Sequence, residues 1–146
     1  ELVSIDALYA MIDMEKRKMA RIPQEMVDAY APERVKKIPR QPEPDHMIGD
    51  IPVDVDQQYA VRYLDIDSNR HVNNSKYFDW MQDVLGPAFL EAHEPTLLNI
   101  KYEHEILLGD TVRSEAQIME DKTIHRIWSG DTLSAEAHID WTKSEN

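Results

Sequence analysis

The chain has 146 residues, 42% of them hydrophobic, enough to bury one sizeable core and too few for two full domains. Its formal charge of −12 argues against nucleic acid or an anionic membrane surface as the main partner, because both repel such a chain at long range. It has no cysteine, which excludes disulfides, thiolate metal sites and a cysteine nucleophile.

The charge is unevenly spread. Residues 1–40 hold eight Lys/Arg against seven acids, whereas residues 41–146 hold eight against twenty-one. An acidic protein partner would therefore be met by the first forty residues, where Arg34, Lys36, Lys37 and Arg40 cluster. No apolar run approaches the roughly 20 residues that a membrane span requires, and no signal peptide is visible, so a cytoplasmic location is expected. The chain opens on Glu1 rather than Met, which is read as the mark of a fragment.

In chain order, residues 5–14 are short and apolar, Glu15-Lys16-Arg17-Lys18 is charged, and Met19 to Pro23 is again mostly apolar. A strand, a polar turn and a second strand fit this pattern, and so does a short helix. Six of the eight prolines lie between Pro23 and Pro52. Proline removes backbone donors and fixes φ, so residues 23–50 are read as an extended linker with a helical turn or two at 24–30 and Val35-Lys36-Lys37-Ile38 pinned down.

After Gly49 the pattern changes. Gln58 to Ile66 mixes β-branched and aromatic residues with partial alternation, which predicts a half-buried strand. Tyr77, Phe78, Met81, Val84, Leu85 and Ala88 then follow helical spacing, predicting a buried helix from 74 to 85 with Asn73 or Asn74 as its N-cap and Gly86-Pro87 as its end or kink. Alternation in four further segments, at 98–102, 112–118, 124–128 and 133–141, predicts antiparallel strands with turns at Gly109-Asp110, Glu120 to Lys122 and Gly130-Asp131. One strand, one buried helix and four strands make an α+β architecture, an antiparallel β-sheet wrapped around a central α-helix.

Between the first strand and the helix, Asp65, Asp67, Asn69, His71, Asn73 and Asn74 gather in ten residues. Asp65, Asp67 and Asn69 match the first three ligand positions of a calcium loop, but the sixth position is Arg70 instead of Gly and the twelfth is Lys76 instead of Glu. That reading fails. A structural reading treats these residues as turn and cap formers, and for Asn73 and Asn74 it is preferred. A catalytic reading uses the Asp67-x-Asn69-x-His71 spacing before a helix start. It supplies a carboxylate, an amide and an imidazole beside free backbone N–H groups that could polarise a carbonyl, as acyl transfer or hydrolysis requires.

The run Val61-Arg-Tyr-Leu-Asp-Ile-Asp-Ser-Asn-Arg-His-Val-Asn-Asn-Ser-Lys-Tyr77 closely resembles the signature of the acyl-ACP thioesterases, hot-dog-fold enzymes that release fatty acids from acyl carrier protein. The resemblance extends back through Asp13 to Pro23 and Glu33 to Pro39, and forward to Leu98 to Glu105. It implies that residues 1–22 are the last strands of a preceding, mostly absent hot-dog domain, 23–50 the inter-domain linker, and 51–146 the C-terminal hot-dog domain. It places the catalytic Asp, Asn and His on Asp67, Asn69 and His71, and the later catalytic Glu on Glu105. Plant relatives often carry Cys at the next position, which here is Ile106. The implied nucleophile is therefore water, activated by Glu105 or Asp67. His71 and Asn69 orient it, and N–H groups at the start of the 74–85 helix receive the oxyanion.

The implied partners are acyl carrier protein bearing a fatty acyl chain and another hot-dog domain, in tandem or as a homodimer. No cofactor or metal is expected, nor any nucleic acid or membrane partner. An acyl-CoA thioesterase and a non-catalytic acyl-binding module are the alternatives. His104 is read as structural or surface, and Asp65 receives no role.

Overall fold

The computed structural model describes residues 4–13, 15–16, 18–31 and 42–144, which fall in two compact units, 1–40 and 41–146. The basic cluster Arg34, Lys36, Lys37 and Arg40 and the Val35 to Ile38 segment lie outside the described residues.

In the first unit Asp13 makes the turn. Its Oδ1 accepts the N–H groups of Glu15 and Lys16, each at 3.0 Å, offering the backbone a local partner as Asx turns do. This closes β1 (Ile12–Asp13) onto β2 (Lys18–Met19), with Ile12 opposite Met19 and Asp13 opposite Lys18. Helix α1 (Gln24–Ala29) begins directly after Pro23. Ile5, Leu8, Tyr9, Met19 and Tyr30 remain exposed.

The second unit is a five-stranded antiparallel sheet in the order β3-β5-β6-β7-β4, built from β3 (Val55–Ala60), β4 (His93–Tyr102), β5 (Thr111–Ile118), β6 (Lys122–Ser129) and β7 (Thr132–Lys143). The last three form a meander, pairing Ala116 with His125 and His125 with Ala137 across the centre. Period-two alternation then puts Val112, Ala116, Ile127, Ala135, Ala137, Ile139 and Trp141 on the face covered by helix, where they are buried. The small residues in that set leave room for a helix to lie close.

That helix is α2 (Asn74–Asp83), entered through Asn73, whose side-chain oxygen accepts the Ser75 N–H at 2.9 Å. Its Tyr77, Trp80 and Met81, with Val84 and Leu85 just beyond, are buried against the sheet. Ser114 on β5 donates its hydroxyl to the Trp80 carbonyl at 3.1 Å. The predicted 74–85 helix stops at Asp83 because the turn through Val84 and Leu85 runs into Gly86 at φ +79°, a left-handed conformation that favours glycine. Pro87 starts a separate helix α3 (Pro87–Ala92), and Ala88, counted by periodicity with the buried stripe, is exposed on it.

The predicted strand over 58–66 also differs from what forms. β3 begins at Val55 and ends at Ala60, and Tyr63–Asp65 is a single 3₁₀ turn. The Asp65 carboxylate explains the break: it accepts the Arg62 N–H at 2.8 Å and the Arg62 guanidinium at 3.2 and 3.0 Å. A side chain that satisfies the backbone locally outcompetes a ladder that aromatic and β-branched residues would otherwise favour.

Residues 42–54 cross the face of the sheet opposite the helix. Asn99 donates to the Pro42 carbonyl, Lys101 pairs with Glu43, and Lys122 pairs with Asp45 at 2.6 Å. The Asp45 N–H donates to His138 Nδ1 at 2.9 Å, and Ile118 N–H to Asp54 at 2.7 Å. Gln117, 2% exposed, accepts from Ile48 N–H and donates to the Ile48 and Ile51 carbonyls, so a buried amide meets its partners on this strap.

Candidate active site

The stretch from Ile66 to Val72 folds back on itself as a minimal hairpin. Ile66 bridges Val72, Asp67 N–H donates to the His71 carbonyl at 2.8 Å, and Arg70 N–H donates to the Asp67 carbonyl at 3.1 Å. Asp67 Oδ1 accepts the N–H groups of Asn69 at 2.8 Å and His71 at 3.4 Å. The Asp67 carboxylate thus braces the turn that carries His71. Arg70 sits at φ +66°, a left-handed conformation that costs a non-glycine residue on the order of 1 kcal/mol. Asn69 is exposed on the same turn.

The hairpin is tied at its base as well. Asn73 N–H donates to the Asp65 carbonyl at 2.8 Å, so Asp65, 1% exposed, holds the 3₁₀ turn through its carboxylate and the helix entry through its backbone. The Arg62 guanidinium keeps the Asp65 carboxyl below the usual carboxylate range. Sequence reasoning left Asp65 without a role; burial, which no local pattern reports, reveals one.

Glu105 arrives from the far end of β4. Val72 N–H donates to the Ile106 carbonyl at 2.8 Å and His71 bridges Leu107, so the two segments run antiparallel for a short distance. That stitch brings Glu105 Oε2 to 3.3 Å from His71 Nε2, both side chains partly exposed. Of the four residues singled out in the sequence, His71 and Glu105 meet directly, while Asp67 and Asn69 sit on the turn beneath His71.

The surroundings are aromatic. Tyr77 is buried and stands edge-on to Tyr102 at 5.1 Å between centroids. Burial raises the Tyr77 phenol well above its ordinary range, which keeps it neutral. Ile106, the residue after Glu105, is fully buried among Val72, Tyr77 and Met81 and packs the core. His104 donates from Nδ1 to the Leu133 carbonyl at 2.9 Å, a structural contact.

The start of α2 is less open than the sequence suggests. Ser75 N–H is taken by the Asn73 side chain and Lys76 N–H by the Asn73 carbonyl at 2.9 Å. Among the first-turn groups this leaves the Asn74 N–H as the donor for an external oxygen. No group of three or more His, Asp or Glu able to hold a metal occurs among the described residues.

A family profile described as the acyl-ACP thioesterase C-terminal domain matches residues 50–143. The chain belongs to the acyl-ACP thioesterase family. Among similar proteins, an acyl-[acyl-carrier-protein] hydrolase of Cuphea viscosissima is 28% identical over 111 residues, 71% of this chain and 26% of the relative. A dodecanoyl-[acyl-carrier-protein] hydrolase of Cinnamomum camphora is 26% identical over 117 residues, covering 77% and 31%. Both are named as chloroplastic.

Among solved structures, a Lactobacillus plantarum protein described provisionally as an oleoyl thioesterase matches with a TM-score of 0.78 at 36% identity, covering 92% of this chain and 55% of that one. The 12:0-ACP thioesterase of Umbellularia californica matches with a TM-score of 0.80 at 20% identity, covering 91% and 53%. The chain therefore spans about half the length of these solved relatives and about a quarter to a third of the plant hydrolases. The sheet around α2 is the hot-dog fold expected from the sequence. No helix among the described residues is long and apolar enough to cross a membrane.

Proposed function

We propose that the protein hydrolyses fatty acyl–acyl carrier protein to free fatty acid and carrier, with water as the nucleophile. The observation that carries this reading is the contact of His71 Nε2 with Glu105 Oε2 in a chain of this family. These 146 residues supply no thiol, and a carboxylate beside an imidazole is suited to activating water. Glu105 is the better base, because Asp67 Oδ1 is occupied by two backbone N–H groups. In this scheme Glu105 takes a proton from water as its oxygen bonds the thioester carbon. The Asn74 N–H stabilises the developing oxyanion, and the C–S bond breaks as the proton passes to the departing thiolate. His71 orients Glu105, and Asn69 lies on the same turn for the substrate.

The reading includes a second hot-dog domain, as a tandem partner or a second copy. Ten-residue strand β4 ends the sheet, paired among the described residues with β7 alone, and Leu97, Leu98 and Tyr102 on it are exposed. An apolar edge of that length suits pairing with another strand. On this reading residues 1–22 close a preceding domain, 23–50 connect, and 51–146 form the catalytic half. The working location is the cytoplasm, although the plant relatives are chloroplastic.

The test is hydrolysis of acyl-ACP and acyl-CoA by the full-length protein and by Asp67→Ala, His71→Ala and Glu105→Ala. Loss of a general base or its orienting group should lower kcat about 10²- to 10⁴-fold for His71 and Glu105, and less for Asp67. Undiminished turnover in all three variants would sink the site. Preference for acyl-CoA would move the substrate to the alternative carrier, and no turnover of either by the parent protein would favour an acyl-binding module.

A further inference from the structure

Gly109-Asp110 reads in the sequence as a turn and nothing more. In the structure the Asp110 side chain is half-buried and engaged twice by one oxygen. Oδ2 accepts the Leu107 N–H at 3.1 Å and the Ser129 hydroxyl at 2.8 Å. Its backbone is engaged as well: Asp110 N–H donates to the Leu107 carbonyl at 3.2 Å, and its carbonyl accepts the Val61 N–H at 3.2 Å. Asp110 therefore joins the end of β6, the residue after β3 and the loop that carries Glu105.

Leu107, which the Asp110 carboxylate holds, is the residue that bridges His71. Ile106 beside it accepts from Val72 N–H at 2.8 Å. On its other side the loop is fixed by Glu103 and His104, whose N–H groups both donate to the Ser134 carbonyl at 2.8 and 3.2 Å. Glu105 thus lies on a short span tied to Ser134 before it and to Val72 and Asp110 after it. Ile106, next to Glu105, is fully buried and fixes its own position by packing, whereas Leu107 is 49% exposed, so beyond Ile106 apolar burial contributes little. There a directional hydrogen bond to Asp110 holds the chain.

We propose that Asp110 is a positioning residue for the hydrolysis: through Leu107, and steadied by Ser129, it sets the place of Glu105 opposite His71. The proposal rests on the reading of His71 and Glu105 as the reacting pair. Asp110 itself touches neither water nor thioester in this scheme. Its negative charge is not required, because the oxygen that accepts both bonds would exist equally on asparagine.

The experiment is steady-state hydrolysis of acyl-ACP by the full-length protein, with folding followed by circular dichroism. Asp110→Ala should lower kcat roughly ten- to hundredfold with KM almost unchanged, the cost of a displaced reacting group. Asp110→Asn should stay within about threefold of the parent, a rescue that follows from its retained acceptor. Ser129→Ala, which removes one of the two bonds, should lose about two- to fivefold. If Asp110→Ala does not fold, Ser129→Ala decides, its normal kcat counting against the proposal.

A double-mutant cycle separates positioning from general destabilisation. In a Glu105→Ala background Asp110→Ala should cause no further loss, whereas additive losses would overturn the proposal. Should Glu105→Ala and His71→Ala themselves retain full turnover, the site reading falls and takes this proposal with it. Impaired Glu105→Ala beside a normal Asp110→Ala would sink the positioning role alone.

Discussion

His125 makes stability depend on pH in a way that can be worked out from its surroundings. It lies at the centre of the sheet, fully buried between Ala116 and Ala137, with Nε2 at 2.7 Å from the Thr123 hydroxyl. Trp141 Nε1 donates to the same hydroxyl at 2.8 Å, and burial keeps the imidazole neutral. Burial pushes the pKa of His125 down from 6.5 to about 3. The unfolded chain therefore binds a proton that the folded one refuses. Stability from this group is complete above the unfolded value and is lost as pH falls from there toward 3.

The slope in that window is about 1.4 kcal/mol per pH unit, so going from roughly pH 7 to pH 5 should cost about 2 kcal/mol. Urea unfolding of the parent and of His125→Leu at both pH values isolates the term, because the substitution removes this imidazole and leaves the other ionisable side chains in place. The carboxyls held low in the fold, Asp45 chiefly by Lys122 and Asp65 chiefly by Arg62, lose their contribution only at more acid pH. The difference in stability between parent and variant should shrink by about 2 kcal/mol on acidification. A difference that stays constant to within about 0.5 kcal/mol would show that the folded state accommodates the charged imidazole, and would refute the argument.

Two further outcomes follow from single side chains. Asn73→Ala removes the side-chain cap on Ser75 N–H and should lower unfolding stability by about 1 kcal/mol, read from the urea midpoint; an unchanged midpoint would mean that water replaces the cap at no cost. Gln117→Ala breaks three hydrogen bonds to the strap and should destabilise by about 2 to 4 kcal/mol. Amide exchange at Ile48 should speed up accordingly, and undisturbed protection there would show that the strap is held by its ion pairs instead.

Much of the fold is legible because it rests on periodicity. Val112, Ala116, Ile139 and Trp141 alternate in sequence and end on one face, and Tyr77, Met81 and Val84 recur at helical spacing and end under the sheet. The misreadings fall where side chains act on the backbone. Tyr63 to Asp65 carries strand-forming residues yet turns, because Asp65 caps it, and Ala88 leaves the buried stripe because Gly86 breaks the helix before it.

The same division runs through the candidate site. Asp67, Asn69 and His71 lie within five residues, so their chemistry and spacing, and the absence of a thiol from these 146 residues, are properties of the sequence by itself. The meeting of His71 with Glu105 and the contact of Asp110 with Ser129 were decided by tertiary structure alone. The physical reason is that each depends on groups brought from distant positions: Ile106 onto Val72, Leu107 beside His71, Ser129 onto Asp110. A hydrogen bond between residues far apart in the chain leaves no period in the sequence, and only the closed sheet around α2 supplies the geometry that makes it.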